Sequence, residues 1–137
     1  MDREIVYSLR KNNYIMSKGI DSCFYARIFH IYQNSYAMTD HGHIYLLNPE
    51  IQPIPLTIEI LRNSNLKDLG SDIFSISNNL NISFGKCIAV FDEDDDKDKL
   101  YLECNEEYMI KRIDFVHELQ NLYYYLNDTN RDLKIVL

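Results

Sequence analysis

Between Asn13 and Leu47 the apolar side chains tend to alternate along the chain, and this period limits the fold more than any other feature. Phe24, Ala26 and Ile28 alternate with Tyr25, Arg27 and Phe29, Ile31 follows, and later Ile44 and Leu46 alternate with His43 and Tyr45. Successive side chains of a strand point to opposite faces, so a period of two predicts half-buried strands rather than helix. Breaks at Lys18-Gly19, Gln33-Asn34-Ser35 and Thr39-Asp40-His41-Gly42 divide the stretch into four strands, with Asp40 to Gly42 a tight hairpin turn. The first third is therefore expected to be an antiparallel sheet or a small β-barrel. Pro49, Pro53 and Pro55 each lack a backbone donor and are expected to interrupt the ladder and lead the chain out of it.

Beyond the prolines, Thr57 can cap a helix over about Ile58 to Ser64, with Glu59 in its first turn and Asn65 closing it in a left-handed conformation. Alternation returns from Ser71 to Cys104 through Ile73 and Ile76, Ile82 and Phe84, Ile88 to Phe91, and Leu100 and Leu102, predicting a second antiparallel set. The period then changes. Ile113, Val116, Leu119, Leu122, Tyr123 and Leu126 recur at spacings of three and four, which predicts a helix from Asp114 to Leu126 with one apolar face to lay on a sheet. Asp114 can cap it, Asn127-Asp128 can end it, and Leu133 to Leu137 are expected to add a terminal strand. The fold class that follows is α+β: an N-terminal antiparallel sheet, a short helix, and a second sheet packed by a C-terminal helix. No linker separates these parts, so one domain over 1–137 is expected, with an N-terminal β subregion at 1–52 and the helices and second sheet at 53–137.

Composition narrows the function. With 137 residues, 46% hydrophobic and 26% charged, the chain can bury a core without a metal or disulfide staple. Only four glycines are present, so many turns must be made by Asn or Asp, which tolerate left-handed backbone. No apolar run approaches the roughly 20 residues of a membrane span, and Met1 to Ile5 lacks the basic start and long apolar run of a secretory signal. A soluble intracellular protein, with no membrane contact, is the expectation. Cys23, Cys87 and Cys104 fit neither a zinc pattern nor a pairwise framework and are expected to be buried free thiols. A net charge of −7 disfavours nucleic acid and suits solubility, a basic protein partner or mimicry of nucleic-acid charge.

Three segments carry a resemblance. Leu9-Arg10 with Asn13-Tyr14-Ile15, then Ile54-Pro55-Leu56-Thr57 with Glu59-Ile60-Leu61, and then Val116-His117-Glu118-Leu119-Gln120-Asn121-Leu122-Tyr123 stand in this order. Together they resemble a family of small uncharacterised proteins encoded by phages and mobile elements of anaerobic gut bacteria. The resemblance covers nearly the whole chain, and the last segment is its most specific part. It implies a genomic setting, a phage or mobile-element protein working in a bacterial cytoplasm, and no mechanism. Where that family has glycine, this chain has Asn12 and Asn65, each a residue that a left-handed position would admit; Lys11 replaces an apolar residue.

Several groups invite chemistry. Asp92, Asp94, Asp96 and Asp98 alternate as in a calcium loop with Glu103 at the twelfth place, but Lys97 occupies the sixth, where the sharp turn needs glycine, and the flanks read as strands. A solvated hairpin tip is the expectation. His41 and His43 flank Gly42 with no spaced third ligand, and none of the cysteines sits in a nucleophile signature. Neither a glycine-rich phosphate loop nor a cofactor motif is present. His117, Gln120 and Asn121 fall on one stripe of the final helix and are candidates either for a binding site or for hydrogen bonds to loop backbone. Tyr123, Tyr124 and Tyr125 point in most directions around one turn, so at least one must reach the surface, where tyrosine marks protein interfaces. The expected function is a non-catalytic binding or accessory protein, acting through a host or phage protein partner or through self-association, as a defence inhibitor or virion component. The alternative is a nucleic-acid or nucleotide binder using the N-terminal sheet, where Arg10, Lys11, Lys18 and Arg27 lie.

Overall fold

The structure is a computed structural model that describes the chain except residues 34, 78–79, 85–99, 105–106 and 128–130; for residues 80, 84, 100–104 and 107–111 the backbone alone is described. The fold is α+β, with two open antiparallel sheets, short helices and a C-terminal helix. The chain divides into two compact units, Met1–Pro55 with Phe115–Asn121, and Leu56–Asp114 with Leu122–Leu137.

The first unit holds α1 (Arg3–Ser8), β1 (Tyr14–Lys18), β2 (Cys23–Tyr32), β3 (Tyr36–Thr39), β4 (Gly42–Tyr45) and β5 (Ile51–Pro53). Its sheet runs β4-β3-β2-β1-β5, so β4 and β5 are free edges among the described residues and no barrel closes. All four strands expected from the alternation are present. The expected exit at the prolines gives way to a fifth strand: Ile15 pairs with Pro53 and Ser17 with Ile51. A proline is tolerated there because β5 is an edge strand, whose outward side needs no donor. Gly42, at φ +94, follows the Asp40-His41 turn and pairs with Thr39, which is where a left-handed residue closes a hairpin.

Alternation decides which face is buried. Ile15, Ala26, Ile28 and Ala37 are fully buried, and Val6 and Leu9 of the α1 segment join them with Leu46 and Ile51. Each large aliphatic side chain buried here contributes about 1.5–3 kcal/mol. Phe29 is the extra residue of a bulge, because Ile28 pairs with Thr39 while His30 pairs with Met38. The bulge reverses the parity of β2, so the row Ile31–Ala37–Ile44 faces inward. The six-residue α1 has no long apolar period of its own and was not expected from the sequence; such a short helix is held by the side chains it buries.

The second unit holds α2 (Ile58–Asn63), β6 (Lys67–Gly70), β7 (Ile73–Ser77), β8 (Leu80–Phe84), β9 (Leu100–Cys104) and β10 (Glu107–Ile113), the strands forming a meander in the order β10-β9-β8-β7-β6. Thr57 caps α2 as expected, its Oγ1 accepting from Ile60 N at 3.3 Å. Asn65 is not left-handed: Ser64 ends the helix in extended backbone, and the Asn65 side chain instead accepts from Lys134 N at 3.0 Å. The β6–β7 turn places both Ser71 and Asp72 at positive φ, 54° and 58°, as a two-residue hairpin demands. Strands β6 and β10 were not expected. Ile113 lies in β10 rather than in the helix that follows, and residues 131–137 form no strand, although Leu133 is buried.

The C-terminal helix α3 (Val116–Leu126) starts two residues beyond Asp114. Its opening is held by Glu118, which accepts from Phe115 N at 3.1 Å, the returning half of a capping box. The helix packs on the second sheet through its C-terminal half. Asn127 ends it as expected, donating from Nδ2 to Tyr123 O at 2.7 Å and to Ile76 O of β7 at 3.3 Å. Leu126, expected on the apolar face, is exposed. No helix among the described residues is long and apolar enough to cross a membrane.

Candidate functional site

The polar stripe of α3 lies in the first unit and turns inward. His117 and Gln120 are each only 2% exposed. Gln120 fills the place of a strand neighbour: its Oε1 accepts from Tyr14 N at 3.1 Å and its Nε2 donates to Asn12 O at 3.0 Å. Asn121 donates to Ser8 O at 2.8 Å and accepts from Nδ2 of the buried Asn13 at 3.0 Å, while Asn13 Oδ1 accepts from Arg10 N at 2.8 Å. Arg10 donates from Nη2 to Gln120 O at 3.1 Å. These bonds satisfy backbone groups of residues 8–14, which run from the end of α1 into β1, beside the bonds that Asn12 N and Asn13 O make to Ile28 of β2. Asn12, at φ 72, supplies the left-handed step in this segment, as the sequence reading expected of an asparagine standing for glycine.

The buried His117 belongs to the same network, and its proton affinity is displaced. Desolvation by burial pushes its imidazole below the usual histidine range, and the charge of Glu118 pulls weakly the other way. Its Nε2 lies 2.9 Å from Ser8 Oγ, the separation of a nucleophile and its base. The proton runs the wrong way for that chemistry. The single Ser8 hydroxyl hydrogen goes to Ile5 O at 2.6 Å, so Ser8 must accept from His117 and Nε2 carries the hydrogen. Nδ1 is buried with no hydrogen-bond partner among the described residues, so no carboxylate orients the ring in the opposite tautomer. A cleft of about 380 Å³ in the same unit is lined by Met1, Asp2, Ile5, Leu47, Pro49 and Ile51 with Gln52 and Pro53, and contains neither histidine nor cysteine.

The other candidates separate. Tyr125 is 72% exposed, Tyr123 and Tyr124 are half-buried, and the rings of Tyr124 and Tyr125 meet edge to face at 5.5 Å. The His41 ring packs tilted against Phe24 at 4.6 Å while His43 bonds to the Tyr32 hydroxyl, so the two histidines engage different partners. No group of three or more His, Cys, Asp or Glu able to hold a metal occurs among the described residues. Asp92, Asp94, Asp96 and Asp98 lie outside the described residues, and Glu103 is described only as backbone of β9. Cys23 is exposed at the start of β2, which corrects the expectation of a buried thiol; Cys87 lies outside the described residues.

The outward face of β2, β3 and β4 was not singled out from the sequence. Register aligns Tyr32, Tyr36 and Tyr45 in one cross-strand row and His30, Met38 and His43 in the next. The rings of Tyr36 and Tyr45 are 5.0 Å apart, and those of Tyr32 and Tyr36 lie nearly parallel at 6.5 Å. Phe29, Tyr36, Met38 and Tyr45 are 42–46% exposed. No Lys, Arg, Asp or Glu stands in either row. The signal was legible in principle: the outward parity of an antiparallel sheet usually carries polar residues, and here it carries Tyr, Phe and Met. No family model, curated protein or solved structure matches this chain.

Proposed function

We propose that the protein is a non-catalytic binding protein of a phage or mobile element that acts through protein contacts in a bacterial host, as an inhibitor of a host defence factor or as a virion component. The observation that carries this reading is the uncharged aromatic face of β2–β4. Contiguous exposed aromatics mark contact surfaces, and tyrosine and methionine are enriched at the centre of interfaces where charged residues are depleted. The inward turn of His117, Gln120 and Asn121 agrees with it, because these groups are engaged in holding backbone and the Ser8–His117 pair has the tautomer of a structural bond.

A nucleotide or single-stranded nucleic acid could also stack on such rings, which is the specific ground for a second reading. Neither aromatic row supplies a Lys or Arg for the phosphates. Of the four basic residues of the first unit considered for this role, Arg10 donates to Lys11 O and Gln120 O, and Arg27 donates to Asn12 Oδ1. The two readings are tested together by replacing Tyr36 and Tyr45 with serine. Loss of a co-purifying protein with unchanged circular dichroism supports protein contacts. Tight binding of single-stranded DNA or RNA that weakens steeply with salt overturns them in favour of the second reading, since counterion release requires that slope.

A further inference from the structure

We propose that the outward face of β2, β3 and β4 packs against the same face of a second copy of the chain. The inference rests on the protein-contact reading and names the partner. Three observations converge on a second copy rather than a foreign surface.

The first is self-complementarity. A two-fold contact places like residues opposite like near its axis, so a face carrying a formal charge repels itself there. The rows Tyr32–Tyr36–Tyr45 and His30–Met38–His43 hold no formal charge with the histidines neutral, and hydroxyl and imidazole groups can each donate or accept across the axis. The second is the distribution of charge over the chain. Residues 1–55 contain five basic residues, Arg3, Arg10, Lys11, Lys18 and Arg27, and five acidic ones, Asp2, Glu4, Asp21, Asp40 and Glu50, so the whole excess of −7 lies in residues 56–137. Two copies meeting through this face therefore approach at the neutral part of an acidic chain, where long-range repulsion is least. The third is area. An aromatic side chain has about 150–250 Å² to bury, so the half-exposed Phe29, Tyr36, Met38 and Tyr45 with the exposed His30 and His43 offer roughly 500 Å² per copy. Two such faces remove about 1,000 Å² from water, the lower bound for a specific interface. A basic foreign partner, by contrast, would find nothing on this face to pair with.

The test is the mass of the full chain in solution by light scattering and sedimentation over micromolar concentrations. The wild type is expected at twice its 16.3 kDa chain mass, with the dimer unchanged or stronger as salt rises. Met38→Glu places two like charges near the axis and is expected to lower the association constant at least a hundredfold while leaving circular dichroism unchanged; Tyr125→Ser, at an exposed tyrosine of α3, is expected to stay dimeric. Should Met38→Glu lose its fold, Tyr36→Ser, which removes a ring without adding a charge, replaces it. A monomeric wild type, a Met38→Glu or Tyr36→Ser variant that remains fully dimeric, or a dimer dissolved by salt each overturns the proposal. A monomeric wild type that still retains a protein partner through Tyr36 and Tyr45 leaves the protein-contact reading intact, so the two failures are distinct.

Discussion

Replacing Gln120 with leucine tests how the first half of α3 is held. The two side chains are similar in size, so little cavity is created, but Tyr14 N and Asn12 O lose their partners at 3.1 and 3.0 Å. Gln120 is 2% exposed, so water cannot easily replace it. An unsatisfied buried donor or acceptor costs about 1–3 kcal/mol, and leucine returns part of that through apolar burial. A net loss of about 2–4 kcal/mol is expected, a large fraction of the ~5–15 kcal/mol that holds a domain together. Urea unfolding followed by far-ultraviolet circular dichroism measures it, with the midpoint falling and the slope unchanged. Gln120→Glu sharpens the assay. It keeps the acceptor for Tyr14 N but turns a carboxylate toward the Asn12 carbonyl, so it is expected to be destabilised at neutral pH and to recover in part at acid pH, where the protonated carboxyl can donate. A Gln120→Leu variant within about 0.5 kcal/mol of wild type, the scatter of ordinary surface substitutions, would refute the assignment of these bonds as the clasp of the helix.

Acid is expected to weaken the same clasp through His117. Its folded-state proton affinity is lowered, so the unfolded chain binds more protons; stability is full above the ordinary histidine value near 6.5 and falls as pH drops below it, by at most about 1.4 kcal/mol per pH unit. Urea midpoints between pH 7.5 and 5 should show this, and His117→Leu should flatten the profile there. Asn12→Gly keeps the left-handed φ of 72 and should cost little beyond its bond to Arg27, whereas Asn12→Val should cost about 1–2 kcal/mol more, read as the difference in unfolding free energy between the two variants. Thr57→Ala removes the α2 cap and should lower stability by about 1 kcal/mol in the same assay.

The alternation of Phe24, Ala26 and Ile28 made the N-terminal strands legible because burying one face of a sheet imposes a period of two that local sequence records. The three-and-four spacing of Val116, Leu119 and Leu122 recorded α3 for the same reason, and Thr57 recorded a cap whose bond is made within three residues. Elements with no period of their own stayed hidden. The six residues of α1 and the three of β5 exist through Val6, Leu9 and Ile51, which the N-terminal core buries. Asn65 was misread because its side chain serves Lys134, a partner 69 residues away that no local rule anticipates. His117, Gln120 and Asn121 could be seen to share a stripe, yet whether that stripe met solvent or residues 8–14 depended on contacts more than a hundred residues apart in sequence.

Period, charge and caps belong to the sequence alone, because each arises from neighbours within a turn or two of the backbone. The aromatic face belongs to tertiary structure. Tyr32, Tyr36 and Tyr45 form a row only because strand register sets them side by side, and the bulge at Phe29 turns His30 and Tyr32 outward by shifting the parity of β2 by one residue. A single inserted residue decides which side of a strand meets water, and that decision is made by pairing with the neighbouring strand.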